Sequence, residues 1–540
     1  MMRLGRDRIA VSVFMVCAAV PAFSQITSER VRKATEEPEN WLTYSGSYAS
    51  WRHSPLAQIN AGNVRRIQTQ WVYQIAERGI FETTPLVVDG ILYGTGPEDT
   101  AFALDARTGK AIWRYQRALP AKLPTCCGRV NRGMAIFGSN LYMATLDAHL
   151  IALDTKTGNV MWDVQAADYH RGYTFTVAPL LVKDKIVIGV SGGEFAVRGF
   201  IDAYDANTGK RAWRHYTVPV PGEPGVETWA GTSWKTGGAP AWITGSYDPD
   251  LNLIYWPTGN PGPDMYGGAR QGDNLYSDCM LALDADTGKL KWYFQFTPHD
   301  VYDYDATEIP ILLDADWKGR PRKLLVQVNR NGFFYVLDRI TGEFLLAKSF
   351  VKVTWAKEIG PGGRPVVEHM DHPLSESSFV CPGSPGGTNW YSPSYNPQTG
   401  LVYVSTREQC DLYTAAPPPY AEGQRFIGSA GIPFRGERGW GAVRAFDPQT
   451  GEKTWEFKLY SPPWAGTLST AGGLVFAGDI DGNLTALNAQ TGKDLWHFQV
   501  GADITASPMT YAIDGKQYVA IAAGSALFAF GLPEDETEQH

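Results

Sequence analysis

The chain has 540 residues and a formal net charge of −8, a balance that argues against nucleic acid or an anionic membrane surface as a partner. Charged residues make up only 19%, while the chain carries 57 glycines and 18 tryptophans; that composition supplies a large core with many turns and excludes a disordered protein. Length alone suggests roughly three or four domains, but internal repeats overrule it.

The first predicted element is an export signal. In "MMRLGRDRIAVSVFMVCAAVPAFSQ", Arg3, Arg6 and Arg8 precede an apolar run from Ile9 to about Val20, followed by Ala22-Phe23-Ser24. A basic start, a short apolar run and small residues predict a signal peptide over 1–24, cleaved before Gln25, and a soluble periplasmic product. The run is short for a bilayer span, and no later segment is long and apolar enough for one. Removing it takes Cys17 and leaves Cys126, Cys127, Cys279, Cys381 and Cys410. Cys126 and Cys127 are neighbours, with Cα atoms about 3.8 Å apart across a trans peptide, below the usual disulfide range of roughly 4.4–6.8 Å. They are either two separate thiols or a deliberately strained bond. In an oxidising compartment disulfides persist, so the expected arrangement pairs Cys126 with Cys127 and Cys381 with Cys410, leaving Cys279 buried and free. No C-x-x-C-H motif for covalent haem occurs, and no cysteine pattern fits zinc or an iron–sulfur cluster.

Further along, one phrase recurs: "ALDARTGKAIWRY" (103–115), "ALDTKTGNVMWDV" (152–164), "AYDANTGKRAWRH" (203–215), "ALDADTGKLKWYF" (282–294), "VLDRITGEFLLAK" (336–348), "AFDPQTGEKTWEF" (445–457) and "ALNAQTGKDLWHF" (486–498). Each reads as a strand, a tight turn on Asp or Asn and Thr-Gly, and a second strand. A tryptophan follows the threonine by five residues in every copy except the fifth, where Leu346 stands. Most spacings match one four-stranded propeller blade. The predicted fold is therefore all-β: an eight-bladed β-propeller with Trp-docking repeats, one domain over 25–540. The gap from Thr341 to Thr450 is long enough to hide the eighth blade, and a strand from "NWLTYSGSYASW" (40–51) is expected to close the ring. The repeated tryptophans are packing between blades.

Chemistry is expected where the copies stop resembling each other. "TCCGRVNRG" (125–133) is one such stretch, and "GVSGGEFAVRGF" (189–200) places Glu194 after Gly192-Gly193. "WITGSYDPDLNLIYWPTGNPGPD" (242–264) supplies Trp242 and Asn260, and "TPHDVYDYDATEIP" (297–310) holds Asp300, Asp303 and Asp305. "NRNGFFYVLDR" (329–339) adds Arg330, and "GGTNWYSPSY" (386–395) adds Asn389 and Trp390. Carboxylates with an amide oxygen are hard ligands suited to Ca²⁺-like ions. If "YDYD" is extended, Asp303 and Asp305 face the same side and repel unless a cation or proton lies between them. A solvated acidic loop remains the alternative on these residues alone.

Taken together, the Trp-bearing repeats, the cysteine pair followed by "GRVNRG", "GGEFAVRG", "YDPDLNLIYWPTGNPGP", "HDVYDYD" and "NRNGFFYVLDR" resemble the pyrroloquinoline quinone (PQQ)-dependent alcohol dehydrogenases, methanol dehydrogenases among them. The resemblance spans nearly the whole chain after the signal, with the motifs in family order. It implies that Glu194, Asn260 and Asp303 hold a metal ion, and that Asp303 is the general base. It further implies Trp242 as the floor under PQQ and a Cys126–Cys127 ring as its ceiling, with Glu82, Arg132, Thr176, Ser191, Gly192, Gly193, Arg330, Asn389 and Trp464 as edge contacts. Pro240 departs from methanol dehydrogenases, which tend to offer a hydroxyl there. Asp305, two residues after the base, resembles the lanthanide-dependent branch; calcium is the alternative ion. The implied activity is oxidation of primary alcohols, methanol or ethanol among them, with electrons leaving to a separate cytochrome c and a homodimer as a conceivable assembly. Two rivals are a calcium-dependent polyol or sugar quinoprotein dehydrogenase, in which the base is more often a histidine, and a non-catalytic envelope propeller, which needs none of these site residues.

Overall fold

The computed structural model describes residues 26–367 and 378–534; the expected signal over 1–24 lies outside the described residues. Nearly all regular structure is β. Among the described residues there are seven four-stranded sheets and one five-stranded sheet, with smaller two- and three-stranded additions. Within most sheets the strands follow chain order in antiparallel meanders, for example Leu86–Val88, Ile91–Gly96, Thr100–Asp105 and Ala111–Gln116. Among the described residues no helix is long and apolar enough to cross a membrane.

The repeat motif is the joint between sheets. In the first copy, Asp105 Oδ1 accepts from the amides of Arg107 (3.0 Å) and Thr108 (2.9 Å) and from Thr108 Oγ1 (3.0 Å), an Asx-type turn. Gly109 follows with φ +71°, and a Cβ there would stand 2.7 Å from the Trp71 ring, so both the conformation and the contact require glycine. Six tryptophans, Trp71, Trp113, Trp162, Trp213, Trp292 and Trp455, lie on the glycine of the next turn and donate Nε1 to the carbonyl one residue after the turn's Asp or Asn; Trp496, whose next sheet has no motif, packs on Phe530. Trp113 reaches Thr155 (2.8 Å), Trp213 reaches Ala285 (3.2 Å) and Trp455 reaches Ala489 (3.0 Å). Leu346 keeps the packing on the turn glycine with a methyl group, its Cδ2 lying 3.1 Å from where a Cβ of Gly451 would stand, without the hydrogen bond.

Two expectations change. All seven motif copies sit in sheets of their own, but the sheet without a motif is not hidden between Thr341 and Thr450. That stretch holds a two-stranded hairpin and the three-stranded addition. The motif-free sheet is the last in the chain, formed by Met509–Ile513, Lys516–Ala523 and Ala526–Gly531 with Gln68–Gln74 at its edge. Gln68–Gln74 is therefore the closing strand, not 40–51. Its Trp71 donates to the Ala106 carbonyl at 3.1 Å and completes the docking series. Residues 40–51 are not a strand: the chain turns at Gly46 and Ser50, both with positive φ, and Arg52 just beyond takes positive φ as well. Arg52 is fully buried there and donates to the carbonyls of Tyr44 (2.9 Å) and Ser507 (2.8 Å) and to Thr84 Oγ1 (3.0 Å). The segment is a plug stitched to both ends of the chain.

Just past the plug, His53–Ser54 adds a parallel edge to Thr467–Thr470, and His53 Nδ1 lies 2.9 Å from Ser469 Oγ. Burial pushes the His53 imidazole down from 6.5 to about 4. Between those values the unfolded chain binds a proton that the folded one refuses, so stability is complete above pH 6.5 and declines as pH falls toward 4. His215 is pushed down to about 4 by burial as well. The expected outcome is a urea midpoint that drops across this window, with part of the drop removed in His53→Gln.

Candidate functional site

The residues that interrupt the repeats converge into two joined clusters. The first is built around Arg132, which is buried. Its Nη2 pairs with Glu82 Oε2 at 2.8 Å, its Nη1 donates to Thr176 Oγ1 at 2.7 Å, and Thr176 Oγ1 lies 3.1 Å from Ser191 Oγ. The guanidinium carbon stands 5.0 Å from the Trp242 ring centre and 4.5 Å from that of Trp390. Burial raises the Glu82 carboxyl, and Arg132 opposes that rise. This is a small basic and aromatic niche lined with hydroxyls, suited to a flat anionic molecule.

The second cluster is acidic. Arg330 donates through Nη2 to Asp303 Oδ2 (2.8 Å) and through Nη1 to Asp305 Oδ2 (2.7 Å), and Asp305 Oδ1 accepts from the Asn260 amide at 2.5 Å. Asp303 holds a positive φ of 64° in this loop. Asn260 Nδ2 donates to Asp264 Oδ1, while Asn260 Oδ1 is buried with no hydrogen-bond partner. Glu194 rises to about 7, first through burial and then through the nearby Asp305 charge. Burial also raises Asp303, Asp305 and Asp264, and it raises Asp300 to about 6 even though Asp300 accepts from the amides of Tyr302 and Tyr304. Gly192 takes φ +116°, and a Cβ on Gly193 would sit 2.8 Å from Asn260 Oδ1. The glycine pair thus brings the Glu194 loop against the amide.

The disulfides form as expected: Cys126–Cys127 with Cα atoms 3.8 Å apart, Cys381–Cys410, and Cys279 free and buried. The two sulfurs of the neighbouring pair and a Glu194 carboxylate oxygen lie within 4.8 Å of one another, so the cysteine loop stands over the acidic cluster. Trp242 stands beside the Arg132 guanidinium and packs against Trp390 and Tyr391, as does Trp464. Asn389 is the exception. Its side chain serves its own loop, donating to the Pro385 carbonyl (2.9 Å) and accepting from the Trp390 amide (2.9 Å). Pro240 has no hydroxyl to offer, and its carbonyl accepts from the Gly259 amide at 2.6 Å.

Sequence reading missed Asp264 and Arg270. Asp264 follows Asn260 by four residues within the quoted "GNPGPD", a usable signal. Arg270 carried none: it is fully buried and holds the carbonyls of Pro263 (3.0 Å) and Asp264 (2.9 Å) and Asn274 Oδ1 (2.8 Å).

With this geometry in place, comparison with known proteins is decisive. Residues 41–354 and 458–519 match the family described as "PQQ: Glucose/ethanol/alcohol dehydrogenase, beta-propeller domain". The chain belongs to the PQQ-dependent quinoprotein alcohol dehydrogenases. It is 38% identical to the quinoprotein alcohol dehydrogenase PedH of Pseudomonas putida KT2440, over 96% of this chain and 92% of that one. It is 39% identical to the lanthanide-dependent methanol dehydrogenase of Methylacidiphilum fumariolicum SolV, over 94% and 89%. A solved europium-containing methanol dehydrogenase superposes with a TM-score of 0.89 at 35% identity, covering 93% of this chain and all of that one. The fold is thus the PQQ β-propeller, and the site lies in the loops that break its repeat.

Arg330 is the one guanidinium shared by Asp303 and Asp305. Removing one partner of a buried ion pair costs about 3–5 kcal/mol. Arg330→Met is therefore expected to lower the unfolding midpoint of protein without added cation. The loss should be smaller at pH 5 than at pH 8, because acid supplies the protons that neutralise the stranded carboxylates.

Proposed function

We propose that this quinoprotein oxidises primary alcohols to aldehydes, using PQQ and one bound cation. The observation that carries the reading is the acidic cluster: the buried carboxylates of Asp264, Asp300 and Asp305, the half-buried ones of Glu194 and Asp303, two guanidiniums and an orphaned Asn260 Oδ1. Carboxylate and amide oxygens facing one another without enough positive charge fit a hard cation. The Arg132 niche fits the carboxylates of a planar cofactor. When bound, PQQ supplies the two-electron acceptor and the cation supplies Lewis acidity.

The chain's own residues do the rest. Arg132, held by Glu82, binds an acid group, Thr176 and Ser191 add hydrogen bonds, and Gly192 and Gly193 leave room for close approach. Trp242 would offer a flat face for the cofactor, and the Cys126–Cys127 pair, beside Glu194, a second one. Asn389 and Trp464 close the rim. Glu194, Asn260, Asp303 and Asp305 would hold the cation; Asp305 uses two of its roughly four lone-pair sites on Asn260 and Arg330, leaving capacity for an ion. Asp303 would take the hydroxyl proton of the alcohol, and Arg330 keeps that carboxylate oriented.

A lanthanide is favoured over Ca²⁺ because the carboxylates of Glu194, Asp303 and Asp305 match a trivalent charge. The related lanthanide-dependent and europium-containing methanol dehydrogenases support that choice. We also read the eight larger sheets as eight blades of one domain over 25–540, exported to the periplasm after loss of residues 1–24. A separate cytochrome c is the electron acceptor in this reading.

The test is reconstitution of metal-free protein with PQQ plus La³⁺ or Ca²⁺, assayed with short alcohols and an artificial dye. Turnover is expected with La³⁺ and lost in Asp303→Asn. Asp305→Ala should abolish La³⁺-supported turnover, and full activity in that variant would remove Asp305 from the ligand set. No activity with any combination in the parent protein would overturn the reading.

A further inference from the structure

The turn "GPEDT" (96–100) joins two strands of the first sheet and belongs to no repeat motif. Two consecutive non-glycine residues in it, Glu98 and Asp99, hold positive φ of 60° and 51°. Side chains rarely tolerate that conformation, and it persists where the surroundings over-determine it. Here the surroundings are the cysteine loop. The Glu98 amide donates to the Arg129 carbonyl at 3.1 Å, and Glu98 Oε2 accepts from Arg129 Nη1 at 2.6 Å. Asp99, fully buried, accepts at Oδ1 from Asn131 Nδ2 (2.9 Å) and at Oδ2 from the Leu146 amide (2.6 Å). Asn131 in turn accepts at Oδ1 from the Gly133 amide (3.2 Å), and its carbonyl accepts from Thr95 Oγ1 (3.2 Å).

The gripped loop has no strand of its own between Gln116 and Ala135. It carries Cys127 two residues before Arg129, and Arg132 directly after Asn131. One strained turn therefore holds alternate residues of the segment that bears both the sulfur pair and the anion-binding arginine. The two acids do different jobs: Glu98 is part-exposed and ties down a side chain, whereas Asp99 is buried and fixes backbone through Asn131.

We infer that Glu98 and Asp99 are positioning residues for the cofactor, together setting where Cys126–Cys127 and Arg132 stand relative to the acidic cluster. The inference rests on the PQQ reading above. It would be tested on the full chain, purified free of cofactor, as wild type and as Glu98→Ala, Glu98→Gln and Asp99→Asn. PQQ affinity would be read by tryptophan quenching with La³⁺ present. The rate at which dithiothreitol reduces Cys126–Cys127 would be followed by alkylation and mass measurement, beside the thermal midpoint. Glu98→Ala is expected to bind PQQ about tenfold more weakly and to lose its disulfide severalfold faster at an unchanged thermal midpoint. Glu98→Gln, which keeps a neutral hydrogen bond to Arg129, should recover most of both. Asp99→Asn should weaken PQQ binding by more than any fall in midpoint accounts for. Wild-type affinity and reduction rate in Glu98→Ala and Asp99→Asn would overturn the inference, as would failure of Glu98→Gln to improve on Glu98→Ala. Absence of PQQ binding by the wild type would instead sink the functional reading, leaving the reduction rates to decide the clamp.

Discussion

Carboxylates from Glu194, Asp264, Asp300, Asp303 and Asp305, buried or half-buried, share one region with the buried guanidiniums of Arg270 and Arg330. Like charges at such range in low dielectric cannot all remain ionised without compensation. That is the constraint on which the rest of the centre depends. Arg330 answers part of it by bridging Asp303 and Asp305, and Arg270 holds the loop of Asp264 and Asp300 through their carbonyls. What remains is a deficit of positive charge beside an orphaned amide oxygen, which is how a protein stores affinity for a hard cation. A site assembled this way needs walls that do not relax, because relaxation would let the carboxylates move apart.

The repeats supply those walls. Six tryptophans clamp the next sheet's turn, and the strand 68–74 closes the series onto the last sheet, so the loops at the centre spring from fixed strand ends. Long-range stitches add to this. The Phe426 amide donates to the Glu194 carbonyl at 2.7 Å, and the Ile427 carbonyl accepts from the Met265 amide at 2.8 Å. A strap between strands Asp411–Ala415 and Ser429–Pro433 of the three-stranded addition thus ties down the Glu194 loop and the segment after Asp264. Rigidity is delivered to the acids from several sheets at once.

How much of this was legible in the sequence differs by physical cause. The docking repeat was plain, because the turn needs Asp, Thr and Gly at fixed offsets and the tryptophan returns at a fixed place. The closing strand was misplaced because Trp71 has no turn motif upstream of it, while 40–51 offered aromatics without showing that the chain turns at Gly46 and Ser50. Glu194, Asn260 and Asp303 stood out as departures from the repeat. Arg270 did not, since an arginine among glycines reads as surface until the fold buries it. Glu98 and Asp99 were invisible for a related reason: positive φ at a non-glycine is a property of the surroundings, not of the residue.

The cysteine pair shows how such local and distant causes combine. Two adjacent thiols say nothing about where they point. Their position over Glu194 depends on a loop with no strand between residues 116 and 135, and such a loop has no intrinsic reason to hold one shape. Its shape comes from the neighbouring sheet through Glu98 and Asp99, and from the ion pair that Arg132 makes with Glu82. The same contacts that seat the sulfurs also seat the arginine, so the two sides of the proposed cofactor niche cannot drift independently. Pre-organisation of this kind lowers the ordering cost of binding a rigid planar molecule, and Glu98 and Asp99 contribute to it from outside the niche.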